Sequence, residues 1–317
     1  MTLDGQGTMS GAEPRTAGDG ERERRRVRLA LASDVLRETT EFFHREGFVQ
    51  LLPVVLGRST DPLGPDPGSS VLTTAAIDYL GQRFYLMNSM ILHKQVAVRE
   101  IGKIWILSPN VRLERAERAA SGRHLFEFNQ VDFEIPHASS ADVRSLVERY
   151  FTFLGGSLHE HPAFAMLGVD PPQFSPPWRA YTTHELEDRY GPDWEVAASR
   201  GHDRPFWALC HRREFYDCED PDEPGHYRNY DLVYPHGYGE ALSGAEREWE
   251  PERIRSRIAR DHLPTEALAA YLEGAGPLIP SAGAGFGVER LVRFLTRADH
   301  VGDVQLFRRV PGESVPL

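Results

Sequence analysis

The segment at residues 88–134, NSMILHKQVAVREIGKIWILSPNVRLERAERAASGRHLFEFNQVDFE, contains one helical pattern and two strand patterns. Apolar residues recur at helical spacing over residues 90–101 and predict a helix with one buried side. Residues 103–108 (KIWILS) are β-branched and aromatic, and residues 124–134 alternate, so both predict strands. A loop around residues 119–122 separates them, which indicates an antiparallel hairpin.

Charged residues stand where the two predicted strands meet that loop. Arg112 and Glu114 follow the first strand, and Arg123 and His124 begin the second. An antiparallel hairpin would bring the four side chains close together. Two arginines, a histidine and a carboxylate on a rigid strand pair suit a negatively charged ligand.

The composition limits the classes of function. The chain has 317 residues, 40% of them apolar, which is enough for one large domain or two small ones. A formal net charge of −11 argues against an extended nucleic-acid footprint, although it is compatible with a local basic patch. Cys210 and Cys218 lack the spacing of a metal site and indicate reduced thiols in a cytoplasmic protein. No apolar run has the length of a membrane span.

The order of patterns along the chain predicts the architecture. Residues 1–26 form an N-terminal extension that we expect to be disordered, although the mixed charges of residues 21–26 (ERERRR) favour the solvated first turns of a helix. Residues 27–317 form one folded domain that opens with an amphipathic helix. Residues 48–55 predict an edge strand because Pro53 lies within them. Strands follow one another without regular βαβ alternation, so we predict an α+β fold: a mixed, mostly antiparallel sheet flanked by helices.

A glycine-rich segment near the C-terminus has the spacing of a strand. In residues 281–287 (SAGAGFG) the glycines alternate, and a helix follows at once. Gly285 and Gly287 would leave a flat floor for a planar base. Arg290, just inside the helix, would reach a phosphate with the help of the helix N-terminus. A packed strand–helix junction with a surface arginine is an equally good interpretation of the residues alone.

Three further features have two interpretations each. Glu240 and Ser243 suit Mg²⁺ beside polyphosphate, or Glu240 forms a salt bridge, for example to Arg112. Lys94, in an apolar helix, is either a cation for a carboxylate or an amine that reaches solvent along its own stem. The acidic run at residues 217–225 (DCEDPDEPG) favours a solvated loop over a metal site.

In order, these motifs resemble the catalytic core of class II aminoacyl-tRNA synthetases, in the aspartyl/asparaginyl branch. Motif 1 corresponds to the helix from residue 27 and the strand that ends at Pro53. NVRLE with GRHLFEFNQVDFE resembles motif 2, and GAGFGVERL resembles motif 3. SMILHKQ, REFYD, RNYDL and GYGEALSGAERE are similar to the intervening segments, in the same order. The resemblance extends from residue 27 to the C-terminus and implies the class II fold.

Within this branch, the chain is most similar to stand-alone, truncated asparaginyl-tRNA-synthetase-like asparagine synthetases. About two dozen polar residues precede motif 1, too few for the anticodon-reading OB-fold, so no anticodon-binding domain is expected. The resemblance implies that ATP and Mg²⁺ are used to adenylate aspartate and that ammonia then displaces AMP. It also implies a cytoplasmic homodimer formed through motif 1. tRNA charging and a membrane location are not expected.

The resemblance assigns roles to individual residues. Arg112 would bind the α-phosphate and the carboxylate being activated, and Arg290 would cover the adenine and the γ-phosphate. The remaining expected ATP contacts are Glu114, Arg123, His124, Phe128, Glu240, Gly285 and Gly287. The expected Mg²⁺ ligands are Glu240 and Ser243. The expected aspartate contacts are Ser89, Lys94, Gln130, Asp132 and Arg247, with Asp132 opposite the ammonium and the two cations at the far carboxylate.

Three questions stay open at the level of sequence. An asparagine synthetase activates the β-carboxylate and a tRNA synthetase activates the α-carboxylate, and the residues do not decide between them. The acidic run at residues 217–225 is longer than its counterpart in the family, which leaves an amine other than ammonia open as acceptor. QLFRR stands at residues 305–309 where QPFPR is usual, so the local turn also stays open, although Arg309 is retained. A non-catalytic paralogue is disfavoured because Arg112, Glu114, Glu240 and Arg290 are all present.

Overall fold

The computed structural model describes residues 18–63, 71–211, 214–274 and 276–315. The helices in these residues are α1 (Asp19–Arg45), α2 (Ile91–Ile101), α3 (Ser140–Leu158), α4 (Pro162–Leu167), α5 (Thr183–Tyr190), α6 (Trp194–Gly201), α7 (Pro251–Arg260), α8 (Ala269–Gly274) and α9 (Val288–Leu295). The strands are β1 (Val49–Leu51), β2 (Leu56–Gly57), β3 (Ala76–Tyr79), β4 (Gln82–Leu86), β5 (Ile104–Val111), β6 (Glu127–Pro136), β7 (Ala180–Thr182), β8 (Phe206–Leu209), β9 (Asn229–Tyr234), β10 (Gly239–Glu246) and β11 (Ser281–Gly287).

Eight of these strands form one sheet in the order β1-β5-β6-β11-β10-β9-β8-β7. The pairs at its two edges, β1 with β5 and β7 with β8, are parallel. All other neighbours in this sheet are antiparallel. A small antiparallel sheet has the order β2-β4-β3. The predicted fold class, a mixed and mostly antiparallel sheet flanked by helices, is confirmed.

The hairpin predicted from residues 88–134 is formed by β5 and β6. The two strands pair antiparallel from Ile104 opposite Glu134 to Val111 opposite Glu127. A short 3-10 helix at Ala116–Ser121 occupies the predicted loop. This register leaves the residues just after β5 beside the first residues of β6, at one end of the sheet.

Strand alternation gives β6 two chemically different faces. Val131 and Phe133 point into the main apolar core. Gln130, Asp132 and Glu134 lie on the opposite face, where the next strand, β11, presents glycines. Because side chains alternate along a strand, one segment closes the core and lines a polar surface at the same time.

The core face is covered by α1, α3 and α9. Phe43 of α1 stacks on Trp105 of β5 with ring centroids 5.3 Å apart. The Tyr150 hydroxyl of α3 lies 2.8 Å from Oγ1 of Thr39 in α1, so its polar atom is paired inside the core. These helices cover one face of the sheet. The opposite, polar face is covered in part by α2 and otherwise borders a cavity.

Three local predictions need correction. The first helix begins at Asp19, so residues 21–26 are its charged first turns, as their mixed charges favoured, and the expected disordered extension does not include residues 19–26. Residues 1–17 lie outside the described residues. The edge strand covers only Val49–Leu51 and ends before Pro53. The acidic run is solvated only in part, because residues 221–225 are exposed whereas Asp217 is buried. None of the described helices is both long and apolar enough to cross a membrane.

Gly283→Ala should test the close packing of β11 on β6. A Cβ at Gly283 would collide with the carbonyl oxygen of Phe133 and with Oε2 of Glu134, both of which are held in place. We expect the free energy of unfolding to fall by about 3 kcal/mol, measured by urea denaturation. Gly156→Ala in α3 is the control, because its Cβ meets no atom within 4 Å and should raise stability by about 0.5–1 kcal/mol. Equal stabilities of the two variants would contradict this packing.

Candidate active site

A cavity of about 610 Å³ opens on the polar face of the large sheet. Its lining includes every residue that the sequence singled out as a candidate: Ser89, Lys94, Arg112, Glu114, Arg123, His124, Phe128, Gln130, Asp132, Glu240, Ser243, Arg247, Gly285, Gly287 and Arg290. They come from α2 and the residues just before it, the β5–β6 hairpin, β10 with the residue after it, and the β11–α9 junction. The fold therefore brings all of them to one place, while their individual roles stay predictions.

The outer end of the cavity is rich in arginine. The Arg112 side chain lies over the Phe128 ring, with its guanidinium carbon 5.2 Å from the ring centroid, and its Nε donates to the Asn88 carbonyl at 3.1 Å. Arg290 donates from Nε to the Arg123 carbonyl at 3.2 Å. Guanidinium groups at this density suit a polyphosphate, which offers many anionic oxygens.

Two carboxylates hold these cations in place. Oε1 of Glu240 lies 3.2 Å from Nη1 of Arg290. Glu195 of α6 forms an ion pair with Arg123, and its Oε1 also accepts the backbone N–H of Glu240 at 3.0 Å. Glu240 thus forms a salt bridge, as one interpretation anticipated, but its partner is Arg290 and not Arg112.

His124 is not a cation at this site. Burial, followed by the charges of Arg290, Arg123, Arg118 and Arg112, lowers its pKa to about 2. The ring is therefore neutral at physiological pH, and its Nδ1 lies 2.5 Å from Oγ of Ser121. The positive charge at this end therefore comes from the arginines, including Arg118, which no motif singled out.

The closed end of the cavity contains buried ions. Nζ of Lys94 donates to Oδ1 of Asp132 at 2.9 Å and lies 3.6 Å from Oε2 of Glu134. The Lys94 side chain is only 2% exposed, so it does not reach solvent along its stem. The same amine is 3.3 Å from the Ala284 carbonyl. Lys94 therefore joins α2 to β6 and β11.

Arg247 completes this buried cluster from the other side. Its Nε donates to Oε1 of Glu134 at 3.1 Å, and its Nη1 lies 3.4 Å from Oδ1 of Asp217. Burial opposes its charge, but Glu134 and Asp217 outweigh that cost and keep the pKa of Arg247 above its usual value. Arg247 is charged at every physiological pH.

The charges in this cluster nearly balance. Two cations, Lys94 and Arg247, face three carboxylates, those of Asp132, Glu134 and Asp217. Among the described residues, Oδ2 of Asp132 is buried and accepts no hydrogen bond. A buried carboxylate oxygen without a donor is costly unless a ligand supplies one. Asp132 is therefore suited to an ammonium group that enters the cavity.

The glycines of β11 make room for these side chains. A Cβ at Gly285 would overlap Nε2 of Gln130 and approach Oδ1 of Asp132 to 2.7 Å. Gly285 stands opposite Ser243 of β10 and Asp132 of β6 in the strand register. The alternating glycines thus leave a flat floor on the cavity side, as their strand spacing predicts.

The candidate metal ligands named by the sequence are both oxygen donors. Glu240 and Ser243 line the same cavity, and the described residues contain no cluster of three acidic, histidine or cysteine ligands. Mg²⁺ is usually held by one or two carboxylates together with substrate phosphates. Glu240 and Ser243 fit that mode of binding, in which the metal would offset phosphate charge.

Sequence reasoning missed several residues of the site. Glu134 follows Asp132 by two residues, so strand alternation places both side chains on the same face. That alternation could have identified Glu134 as a residue of the site. Asp217 was assigned to a solvated loop, yet it is buried and paired with Arg247. Glu195 lines the cavity without any local pattern that marks it. Tyr216 lies in the REFYD segment and Asp61 begins residues 61–67 (DPLGPDP), but the sequence assigns neither of them a role.

The fold and this site define the class of protein. The model of a family described as tRNA synthetases class II (D, K and N) matches residues 16–311, so the chain belongs to this family of ATP-dependent ligases. The asparagine–tRNA ligase of Lactobacillus delbrueckii subsp. bulgaricus is 27% identical over 314 residues, which are 91% of this chain and 70% of that protein.

Solved structures agree on the fold. The asparaginyl-tRNA synthetase of Pyrococcus horikoshii complexed with asparaginyl-adenylate matches with a TM-score of 0.74 at 22% identity, over 93% of this chain and 70% of that one. The Entamoeba histolytica asparaginyl-tRNA synthetase in complex with asparaginyl-adenylate gives a TM-score of 0.77 at 21% identity, over 93% and 68%. At these identities the match establishes the class II fold alone.

Glu195→Gln should make the site bind ATP more tightly. The carboxylate of Glu195 occupies Arg123, and its charge also repels phosphate, so its neutral amide should lower the Kd for ATP several-fold in calorimetric titration. Glu187→Gln is the control, because Glu187 lines the same cavity from α5 whereas the described ion pair of Arg123 is with Glu195. Weaker binding by Glu195→Gln would show that Glu195 supports the ATP site and does not compete with the nucleotide.

Proposed function

We propose that this protein is an ATP-dependent ligase that adenylates aspartate and transfers the aspartyl group to ammonia, with release of AMP and pyrophosphate. The observation that carries the proposal is the pair of buried cations, Lys94 and Arg247, at the closed end of a cavity whose outer end holds Arg112, Arg123 and Arg290. A dicarboxylate between the two ends would meet a cation with each of its carboxylates.

The expected placement of ATP follows the arginines. Its adenine would lie between Phe128 and Arg290, with Glu114 at the amino group, and its α-phosphate would meet Arg112. In the first step a carboxylate oxygen of aspartate attacks the α-phosphorus, and pyrophosphate leaves with the bonding electrons. Arg112 would stabilise the negative charge that develops on the phosphoryl oxygens. Mg²⁺ held by Glu240 and Ser243 would offset charge on the phosphates.

The proposed acceptor is ammonia and not the amide of glutamine. Releasing ammonia from glutamine with a cysteine requires a thiolate nucleophile. Burial and nearby Glu248 raise the pKa of Cys218 to about 11, and burial also raises the pKa of Cys210. Neither thiol is activated, which supports direct use of a free amine. An aspartyl transfer to another amine remains the alternative for the same adenylate.

A second candidate is activation of asparagine. The relatives named above are asparaginyl enzymes, and the buried cluster already pairs Lys94 and Arg247 with Glu134 and Asp217. A neutral amide would preserve this balance of charge, whereas the side-chain carboxylate of aspartate would add a negative charge. The two candidates therefore differ in the amino acid and share the ATP site.

Amino-acid-dependent exchange of pyrophosphate into ATP tests the proposal. We expect aspartate to stimulate exchange and ammonium then to yield asparagine and AMP, detected by mass spectrometry. Exchange with asparagine but not with aspartate would select the second candidate. Formation of aspartyl-tRNA or asparaginyl-tRNA by the purified protein would assign it to tRNA charging.

Variants of the outer arginines serve as controls for this assay. Arg112→Ala and Arg290→Ala should each abolish exchange, because each removes a cation from the phosphates, while circular dichroism stays unchanged. The losses should exceed roughly a hundredfold. Exchange at the parental rate in either variant would refute the proposed placement of ATP.

We also propose that the protein is a homodimer that pairs through the β1 side of the sheet. Apolar side chains are exposed along and after β1, with Leu52 91% exposed and Val49, Val55 and Leu56 beside it. Exposed apolar groups that cluster in this way mark interaction surfaces. Motif 1 of the family supplies the same segment to its dimers.

Light scattering coupled to size-exclusion chromatography should give about twice the chain mass of 35.8 kDa. Leu52→Asp should shift the protein toward monomer, because it places a charge in an apolar contact. Met166→Asp is the control, since Met166 is also exposed but lies on α4. A monomeric parent protein would contradict the proposal.

A further inference from the structure

Asp61 is a buried carboxylate in the cavity for which no motif provides a role. It is 2% exposed and lines the cavity together with Arg112, Arg247 and Tyr216. Its Oδ1 accepts the Leu63 N–H at 2.9 Å, and its Oδ2 accepts the Tyr216 hydroxyl at 2.8 Å. Both oxygens accept hydrogen bonds, so the carboxylate is held in one orientation as an anion.

Asp61 is connected to the outer end of the cavity through Asn88. The Asn88 carbonyl accepts from Nε of Arg112 at 3.1 Å, and the Asn88 amide donates to the Asp61 carbonyl at 2.8 Å. The backbone N–H of Asn88 also donates to Thr60 at 2.9 Å. Arg112 and Asp61 are thus held on either side of one asparagine.

Asp61 is connected to the closed end through Tyr216. The Tyr216 ring lies under Arg247, with the guanidinium carbon 5.9 Å from the ring centroid. Asp61 is therefore linked through Asn88 to the cation expected at the activated carboxylate, and through Tyr216 to the cation expected at the far carboxylate. An aspartyl adenylate held by both would present its acyl carbon in the region that Asp61 lines.

We propose that Asp61 is the catalytic proton acceptor for the amine nucleophile, an ammonium ion or a primary ammonium compound, that captures the adenylate. This inference rests on the proposed function and extends it to the transfer step. The carboxylate would attract the cation into the cavity and remove its proton where the acyl carbon lies.

The step balances without a further reactant. Asp61 takes one proton from the ammonium group, which frees the nitrogen lone pair. The nitrogen attacks the acyl carbon, a C–N bond forms, and the bond from carbon to the phosphate oxygen breaks with its electron pair on AMP. The nitrogen then releases a second proton to water, and Asp61 returns its own proton to solvent.

The environment of Asp61 agrees with this role. Burial raises its pKa, while the hydrogen bonds from Leu63 and Tyr216 and the charges of Arg112 and Arg247 partly oppose that effect. A raised pKa makes the carboxylate a stronger base than an ordinary aspartate. Burial and the charge of Asp61 also raise the pKa of Tyr216, so the phenol stays protonated as a donor.

Asp61→Asn tests the inference, with ammonium and hydroxylamine compared as nucleophiles. Hydroxylamine is largely unprotonated at neutral pH and needs no base before it attacks. We expect Asp61→Asn to retain aspartate-dependent exchange, to lose transfer to ammonium by roughly a hundredfold or more, and to keep most of its transfer to hydroxylamine. Glu187→Gln, in the same cavity, should leave the ratio of the two transfers unchanged.

The outcomes separate the two proposals. No exchange with aspartate in the parent protein would refute the proposed function and this inference with it. If the parent protein shows exchange but Asp61→Asn loses transfer to ammonium and to hydroxylamine equally, the inference alone is refuted. The inference is also refuted if Asp61→Asn transfers to ammonium at the parental rate.

Tyr216→Phe supplies a second measurement should Asp61→Asn fail to fold. Removing the phenol donor raises the pKa of Asp61 further, so transfer at fixed total ammonium should begin at higher pH than in the parent. An unchanged pH profile would count against Asp61 as the base.

Discussion

The site depends on the hydrogen bonds and ion pairs that the Glu134 carboxylate forms. This carboxylate accepts from Arg247 at 3.1 Å and from Oγ of Ser281 at 3.0 Å, and it lies 3.6 Å from Nζ of Lys94. Three segments far apart in the chain therefore meet at one fully buried acid. Removing one partner of a buried ion pair typically lowers the free energy of unfolding by about 3–5 kcal/mol, so folding keeps these charged groups together. The closed end of the cavity is rigid for this reason.

The two faces of the central strands explain how a charged cluster coexists with a large core. Val131 and Phe133 fill the core, and the residues between them carry charge on the other face. The glycines of β11 matter because a side chain at Gly283 or Gly285 would occupy the space that Glu134, Gln130 and Asp132 need. One face of these strands therefore packs in the core and stabilises the fold, and the opposite face lines the site.

The inner and outer ends of the cavity differ in how their cations are held. Lys94 and Arg247 are deeply buried and paired with structural acids, so they act as fixed charges. Arg123 and Arg290 are partly exposed and paired with Glu195 and Glu240. Ion pairs that keep contact with solvent contribute little net stability. A polyphosphate can displace the acids at the outer end, whereas a ligand at the inner end must fit the arrangement it finds.

The sequence by itself determined the β5–β6 hairpin, the glycine strand, the fold class and the set of candidate residues, because alternation and motif order are local properties of the chain. It could not supply the partners of those residues. Asp217 and Glu195 enter the site only through folding, and local polarity even placed Asp217 in solvent. The sequence left the protonation state of His124 open, and burial among arginines makes its ring neutral. Pairing, burial and protonation depend on segments distant in sequence, so only the tertiary structure decided them.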